Sequence, residues 1–518
     1  MRINFKTQLI IVGLFIFSIV NAQNLKLGEL FNEGAVLQRN AKVSVWGTSA
    51  PLAGISVSIQ GKQFQAKSDK AGKWSIELAS LKEGGPYEMS VISANETLKL
   101  KEIYVGEVWL AGGQSNMAFM LENSDNGKEE IAQAANPNIR FIMVPYKAFE
   151  GDKNRGDMNW RTATTENVKN MSAVAYYFAK DLQAKLKVPV GVICCYKGGS
   201  GAETWMSRES LLKNPVIAPI VENYESNYAK LGREKYLELL SSYENDLKTY
   251  RDSVKAGNKT MKSPKEPMGE QNYNRPYGLY NNMLKRIIPY SVKGAIWYQG
   301  EHNSPRAVQY RTLFPAMIEQ WRTDFNNPNM PFLFVQLPGY ANADGANRPI
   351  WPEQRESQLL TWKNVKNTGM AVTIELGNKT NIHPTNKEPV GKRLAAIAFN
   401  TVYGFDIPYS GPVYKNVEFK GNQAVLSFDF VYGGLKVDGE LQGFTICGAD
   451  KNFVSAKAQI KGNQIVVYAE GVTNPVAVRY GWANWTEANL RNNADFPASP
   501  FRTDDFQLLT EGVKITKF

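Results

Sequence analysis

Residues 104–121 read Tyr-Val-Gly-Glu-Val-Trp-Leu-Ala-Gly-Gly-Gln-Ser-Asn-Met-Ala-Phe-Met-Leu, and the fold turns on them. The run from Tyr104 to Leu110 is apolar and β-branched or aromatic, which predicts a buried strand. It breaks at Gly112-Gly113, and Ser115 follows at once. Met117-Ala118-Phe119-Met120-Leu121 then reads as the opening of a helix. A strand that ends in a glycine turn and feeds a helix places the serine at the carboxyl edge of a sheet, where ligands of open α/β sheets bind. Such a turn leaves a hydroxyl exposed beside free backbone N–H groups, as acyl transfer requires. The structural alternative is an N-cap, for which serine is favoured.

Outward from this stretch, strand-like runs alternate with helical patterns, the sign of a parallel α/β sheet. Strands are predicted at 105–110, 139–144, 189–195, 292–298, 331–337 and 370–375. Val174, Tyr177, Phe178, Leu182 and Leu186 repeat at helical spacing, as do Tyr310, Leu313, Phe314, Met317 and Trp321, where Pro315 marks a late start or a kink. Residues 387–400 form a last helix. Residues 207–275 interrupt the alternation as a charged, helical and then polar insertion, placed to lean over the site. Short alternating strands over 23–103 suit a β-sandwich. From about 405 the chain returns to short strands, a second β module or β elements closing on the catalytic domain. The domains expected are thus 23–103, 104–405 and 406–518.

The chain has 518 residues, is 43% hydrophobic and carries a formal charge of +11. It is too long for one ordinary domain and apolar enough for a sizeable core. No Lys/Arg block or nucleic-acid motif accompanies the charge, so it reads as a solvated basic surface. Met1–Ala22 has a basic start, a short apolar core from Leu9 to Val20 and a small residue at its end, the pattern of a signal peptide. The expectation is an exported protein, periplasmic or secreted, starting at Gln23 and without a membrane span. Cys194 and Cys195 are adjacent in an apolar run and face opposite sides of a strand; with distant Cys447 they make no disulfide framework, although one bridge to Cys447 stays open. There is no Cys/His cluster of the kind that binds zinc.

The chain has two histidines, His302 and His383. If an imidazole activates the serine, it is one of these. Both fall in loops at the carboxyl side of the predicted sheet. That edge presents four loops: Gly113-Gln114-Ser115-Asn116, Gly198-Gly199-Ser200-Gly201, Gln299-Gly300-Glu301-His302-Asn303 and Asn381-Ile382-His383-Pro384. They offer a nucleophile, glycines that admit close backbone approach, side-chain amides and a base, the parts of an ester hydrolase. Ser200 is a rival nucleophile in an elbow-like sequence whose fifth position is Ala202. Trp205 and Trp297 flank these loops and either stack on a sugar or fill the core.

The chain resembles the SGNH hydrolases, and within them the sialate O-acetylesterase family of carbohydrate esterases. The resemblance rests on Gly113-Gln114-Ser115-Asn116-Met117, on Trp297-Tyr298-Gln299-Gly300-Glu301-His302-Asn303 and on Ile382-His383-Pro384-Thr385-Asn386-Lys387. Leu30-Phe31 with Val36-Leu37-Gln38-Arg39, and Ala498-Ser499-Pro500-Phe501-Arg502-Thr503-Asp504, look like the family's two ends. It implies an SGNH-type, flavodoxin-like three-layer parallel-sheet domain between N-terminal and C-terminal β modules. It also implies Ser115 as nucleophile and His383 as base. The oxyanion hole would comprise the Ser115 N–H, Gly198 or Gly199 (Gly199 preferred) and Asn303, with Gln299 a second candidate. Gln114, Gln299 and Glu301 would serve substrate binding, Glu301 holding its loop, and His302 would line the site. No metal or cofactor is implied.

Many SGNH enzymes carry an aspartate three residues before the histidine; here that position is Thr380, and Asn381 lies two before. A Ser115–His383 dyad with a neutrally oriented imidazole follows, unless Glu375 or a more distant acid folds back. The expected substrate is an acetylated sugar: a sialic acid first, acetylated xylan or another polysaccharide second. A non-catalytic carbohydrate-binding protein is the reading from another class. Nothing in the sequence sets an oligomeric state.

Overall fold

The computed structural model describes residues 24–94, 96–153, 155–258, 260–342 and 348–513; the signal peptide expected over 1–22 lies outside the described residues. The central sheet contains β1 (Glu96–Gly113), β2 (Asn136–Met143), β3 (Trp160–Ala163), β4 (Val190–Tyr196), β5 (Gly294–Tyr298), β6 (Phe332–Val335) and β7 (Thr368–Ala371). Their spatial order is β3-β2-β4-β1-β5-β6-β7. All neighbours are parallel except β3, which pairs antiparallel with β2 at the edge. The fold is therefore mixed α/β around a large mixed sheet.

Successive residues of β1 enter two different cores. Val108 and Leu110 pack in one with Tyr310, Phe314 and Trp321 of α4 (Ala307–Asp324). Trp109 and Ala111 pack in the other with Tyr177 and Phe178 of α1 (Ala173–Leu186) and Leu394 of α6 (Glu388–Thr401). Burial on both faces is why the strand reads as a continuous apolar run. Cys195 and Cys194 divide between the same two cores; with Cys447 they are buried and unbridged. Pro315 sits inside α4 without ending it.

β1 is 18 residues long. Its first half pairs antiparallel with Gly84–Ser93, and Tyr104–Gly106 pair in parallel with Val36–Gln38. The boundary expected at 103/104 thus falls inside one strand, and the N-terminal strands extend the central sheet to eleven. The Gln38-Arg39 motif fastens this junction: Gln38 Oε1 accepts from the Val108 N–H at 2.8 Å, and Arg39 pairs with Glu107 at 2.6 Å. At the other end, Arg502 pairs at 2.8 Å with Glu356 on α5 (Ile350–Asn364), and Gln336 donates to Ser499 at 3.0 Å.

The helix expected from Met117 does not form. The Met117 and Ala118 N–H groups both bond to the Gln114 carbonyl, closing a tight turn. The chain is then tied alongside the start of α1, with Leu121 N–H on Met171 O and Ala173 N–H on Phe119 O. Those apolar residues serve a tertiary contact, which overrides their helical spacing. The helix cap is Ser172, which accepts from Ala175 N–H, and not Ser115. The insertion contributes α2 (Ala218–Leu231) and α3 (Arg233–Lys255). Among the described residues no helix is long and apolar enough to cross a membrane.

Candidate active site

β1 ends at Gly113 with φ +136°, where a Cβ would meet the Tyr298 carbonyl of β5 at 2.2 Å. Only glycine lets the strands stay paired while the chain turns out of the sheet. The turn presents Ser115 half-exposed between Gln114 and Asn116, both buried. The Ser115 Oγ lies 2.8 Å from Nε2 of His383, 268 residues along the chain. His383 stands in the loop between β7 and α6, and its backbone N–H donates to Asn381 Oδ1 at 2.9 Å, a local Asx turn. Burial and the nearby Lys387 charge hold the His383 pKa below the ordinary imidazole value, so the ring is neutral near pH 7.

Among the described residues no hydrogen-bond partner stands at His383 Nδ1. Thr380 bonds to Asn378. Glu375, the nearest acid in the preceding loop, is committed to Arg393 and lies 3.5 Å from Arg491.

Asn116 ties the serine and histidine loops together. Its Nδ2 donates to Glu301 Oε1 at 2.6 Å and to the Ile382 carbonyl at 3.0 Å; its Oδ1 accepts from Lys387 Nζ at 2.6 Å. All three side chains are buried. Burial raises the Glu301 pKa, and burial lowers that of Lys387 to about 7 against the pull of Glu301. Lys387 Nζ also lies over the rings of Phe119 and Tyr298, at 5.0 and 5.2 Å.

On the other side of Ser115, a Cβ on Gly198 would sit 3.5 Å from the Ser115 Cβ, whereas a Cβ on Gly199, at φ +72°, would sit 3.0 Å from the Tyr273 hydroxyl. Asn303 is buried behind this loop. Its Oδ1 accepts from the Ala202 N–H (3.0 Å) and Gln299 Nε2 (2.6 Å), and its Nδ2 donates to Glu203 Oε2 (2.8 Å). Gln299 is wholly buried, with Nε2 donating to Ser200 O as well and Oε1 accepting from Tyr310. Gln114 Oε1 faces the His302 N–H at 3.4 Å. Burial would raise the Glu203 pKa, but the charges of Arg306 (2.7 Å) and His302 and the Asn303 amide bring it to about 2. His302 is accessible from the cleft, and its ring faces the Gly199 carbonyl. Ser200 is fully buried, donating to Lys197 O and accepting from Trp205 Nε1, so it is no nucleophile. Trp205 and Trp297 meet edge to face in the core, out of reach of a sugar.

A cavity of about 520 Å³ opens beside these loops, lined by Glu203, His302 and Arg306 on one wall and Tyr243, Glu266 and Tyr273 of the insertion on the other. Sequence reasoning quoted Asn116 and Lys387 within motifs but gave them no role. It missed the Glu203–Arg306 pair, whose partners lie 103 residues apart and carry no local signal. Among the described residues no group of three or more His, Cys, Asp or Glu side chains is placed to hold a metal ion.

A hydroxyl held on an imidazole at the carboxyl edge of a largely parallel sheet is an arrangement suited to nucleophilic ester hydrolysis. Residues 267–400 match the family model for sialic acid-specific acetylesterase carbohydrate esterases. The chain is 38% identical to a carbohydrate acetylesterase of solved structure from Xanthomonas citri, over 93% of this chain and 100% of that one, with a TM-score of 0.78. It is also 27% identical to the sialate O-acetylesterases of Mus musculus (90% of this chain, 92% of the relative) and Homo sapiens (89% and 88%). The chain belongs to the sialic acid-specific acetylesterase family of carbohydrate esterases, and it is a carboxylic ester hydrolase.

Proposed function

We propose that the protein is a serine esterase that removes O-acetyl groups from sialic acids, with Ser115 as nucleophile and His383 as base. The observation that carries the assignment is the 2.8 Å contact between Ser115 Oγ and His383 Nε2. With Ser115 as donor, the imidazole proton sits on Nδ1. His383 takes the Ser115 proton as Oγ attacks the acetyl carbonyl. The oxyanion is held by the Ser115 N–H, an N–H of the Gly198-Gly199 pair, Gly199 being preferred, and the second Nδ2 hydrogen of Asn303. The bond to the sugar oxygen breaks, and that oxygen takes the proton from His383. Water, deprotonated by His383, then attacks the acetyl-enzyme; the bond to Ser115 Oγ breaks, Oγ takes the proton back from His383, and acetate leaves. Gln299 has both amide hydrogens engaged within the protein, so its place is to brace Asn303. Glu301 acts through Asn116 on both loops. Lacking a carboxylate at Nδ1, the dyad gives less support to the imidazolium than a triad.

With the β2–β3 pair at the edge set aside, the order β4-β1-β5-β6-β7 numbers 2-1-3-4-5, that of a doubly wound flavodoxin-like sheet, which supports the SGNH three-layer reading. Export through residues 1–22 belongs to the same proposal and rests on their sequence pattern. The test is acetate release from O-acetylated N-acetylneuraminic acid and from acetylated xylan by wild type and Ser115→Ala. Release from the sialic acid, lost in the variant, is expected. Release from xylan alone overturns the substrate, and activity retained by Ser115→Ala overturns the nucleophile.

A further inference from the structure

We infer that the cleft between the oxyanion loop and the insertion carries a subsite for the carboxylate of an acidic sugar, centred on Lys197; its substrate rests on the sialic acid reading above. Lys197 directly precedes Gly198-Gly199 and is half-buried. Its ammonium sits between two tyrosine rings, 4.4 Å from the centre of Tyr146 and 4.7 Å from that of Tyr273. Among the described residues it has neither an ion pair nor a hydrogen bond. Arg155 lies over the same Tyr146 ring at 4.7 Å. Its own ion-pair partner, Asp152, is 3.7 Å away and is engaged by the Ala148 N–H. Burial and the Arg155 charge disfavour the charged form of Lys197, and Glu266 favours it without touching it.

An ammonium held between two rings without a counter-ion of its own, with a second cation beside it that has only the 3.7 Å contact to Asp152, is an unfinished anion site. Lys197, Arg155, Arg251, Tyr146 and Tyr273 line one cavity, of about 450 Å³, and Tyr243, Glu266 and Tyr273 are shared with the cavity at His302. A ligand seated against His302 can therefore extend across the Tyr273 ring to Lys197. The Tyr273 hydroxyl over Gly199 links the two ends. A carboxylate would supply the missing counter-ion of Lys197 and share Arg155, a charge-assisted contact. Glu266, whose pKa is raised by burial, is the acceptor or donor for a neighbouring sugar hydroxyl. Asp152 and Glu244 face the same space, so the subsite is local to Lys197 rather than a broad positive field.

The experiment is calorimetric titration of the full chain with N-acetylneuraminic acid and with its methyl ester, which differ in the carboxylate charge. Wild type is expected to bind the acid about tenfold or more tighter, the scale of a hydrogen bond to a charged group. Lys197→Gln, and independently Arg155→Gln on the exposed side, are expected to bring the ratio of dissociation constants toward one. A wild-type ratio near one, no binding of either sugar, or a ratio kept in both variants overturns the subsite. Binding needs no turnover, so a failure here is separate from a failure to release acetate from O-acetylated sialic acid.

Discussion

Replacing Asn116 by alanine removes a side chain that joins the serine loop, the histidine loop and the Glu301 loop. Two of its hydrogen bonds, to Glu301 and from Lys387, are 2.6 Å long and involve ionisable partners, and all three residues are buried. At about 1.5–3 kcal/mol for a bond to a charged group, their loss sums to about 3–6 kcal/mol. The lower end is expected, because the orphaned pair can neutralise itself: the Glu301 pKa is already raised and that of Lys387 already lowered to about 7. A loss of about 3 kcal/mol is large against a folding stability of roughly 5–15 kcal/mol. It is read from urea unfolding at pH 7, followed by tryptophan fluorescence, as a lower midpoint at unchanged slope. The bonds are buried, so the loss should change little between low and high salt. The turnover number should fall about a hundredfold through misplacement of Ser115 against His383, with KM nearly unchanged. Glu301→Gln is the contrast, because an amide oxygen still accepts from Asn116 and Glu301 Oε2 has no partner to lose; it should cost less than half as much. A destabilisation below about 1 kcal/mol for Asn116→Ala, or a larger one for Glu301→Gln, would refute the reasoning.

Asn303→Ala should lower the turnover number about a hundredfold or more, since one oxyanion donor is worth roughly 2.7–4 kcal/mol; a loss under fivefold removes Asn303 from the oxyanion hole. The proposed mechanism needs neutral His383, whose pKa is depressed first by burial and then by Lys387, so activity should be held down to acidic pH and lost below. Lys387→Gln removes the charge, so His383 should protonate at higher pH and the acid limb of kcat/KM should move up; an unmoved or lowered limb counts against the coupling. Gly113→Ala puts a methyl 2.2 Å from the Tyr298 carbonyl at φ +136° and should leave little soluble, active protein; a wild-type melting temperature and rate would show that the turn relaxes freely.

The sequence by itself determined the alternation of strands and helices, the burial of the central sheet and the four loops at its edge. Each is a local signal: the period of apolar residues, a glycine that breaks a strand, a histidine placed after one. It also determined that only His302 or His383 could serve Ser115. Tertiary structure decided the rest, because each remaining question turned on residues far apart in the chain. It brought His383 to 2.8 Å from Ser115, and it drew Glu375 away to Arg393. It turned Met117–Leu121 from a helix into a segment pinned to α1, since packing outweighs a short propensity signal. It carried β1 through the expected domain boundary, because a strand continues wherever a neighbour offers its edge. The Asn116–Glu301–Lys387 network could form only once three loops converged in a space that excludes water, where a buried charge must find a partner.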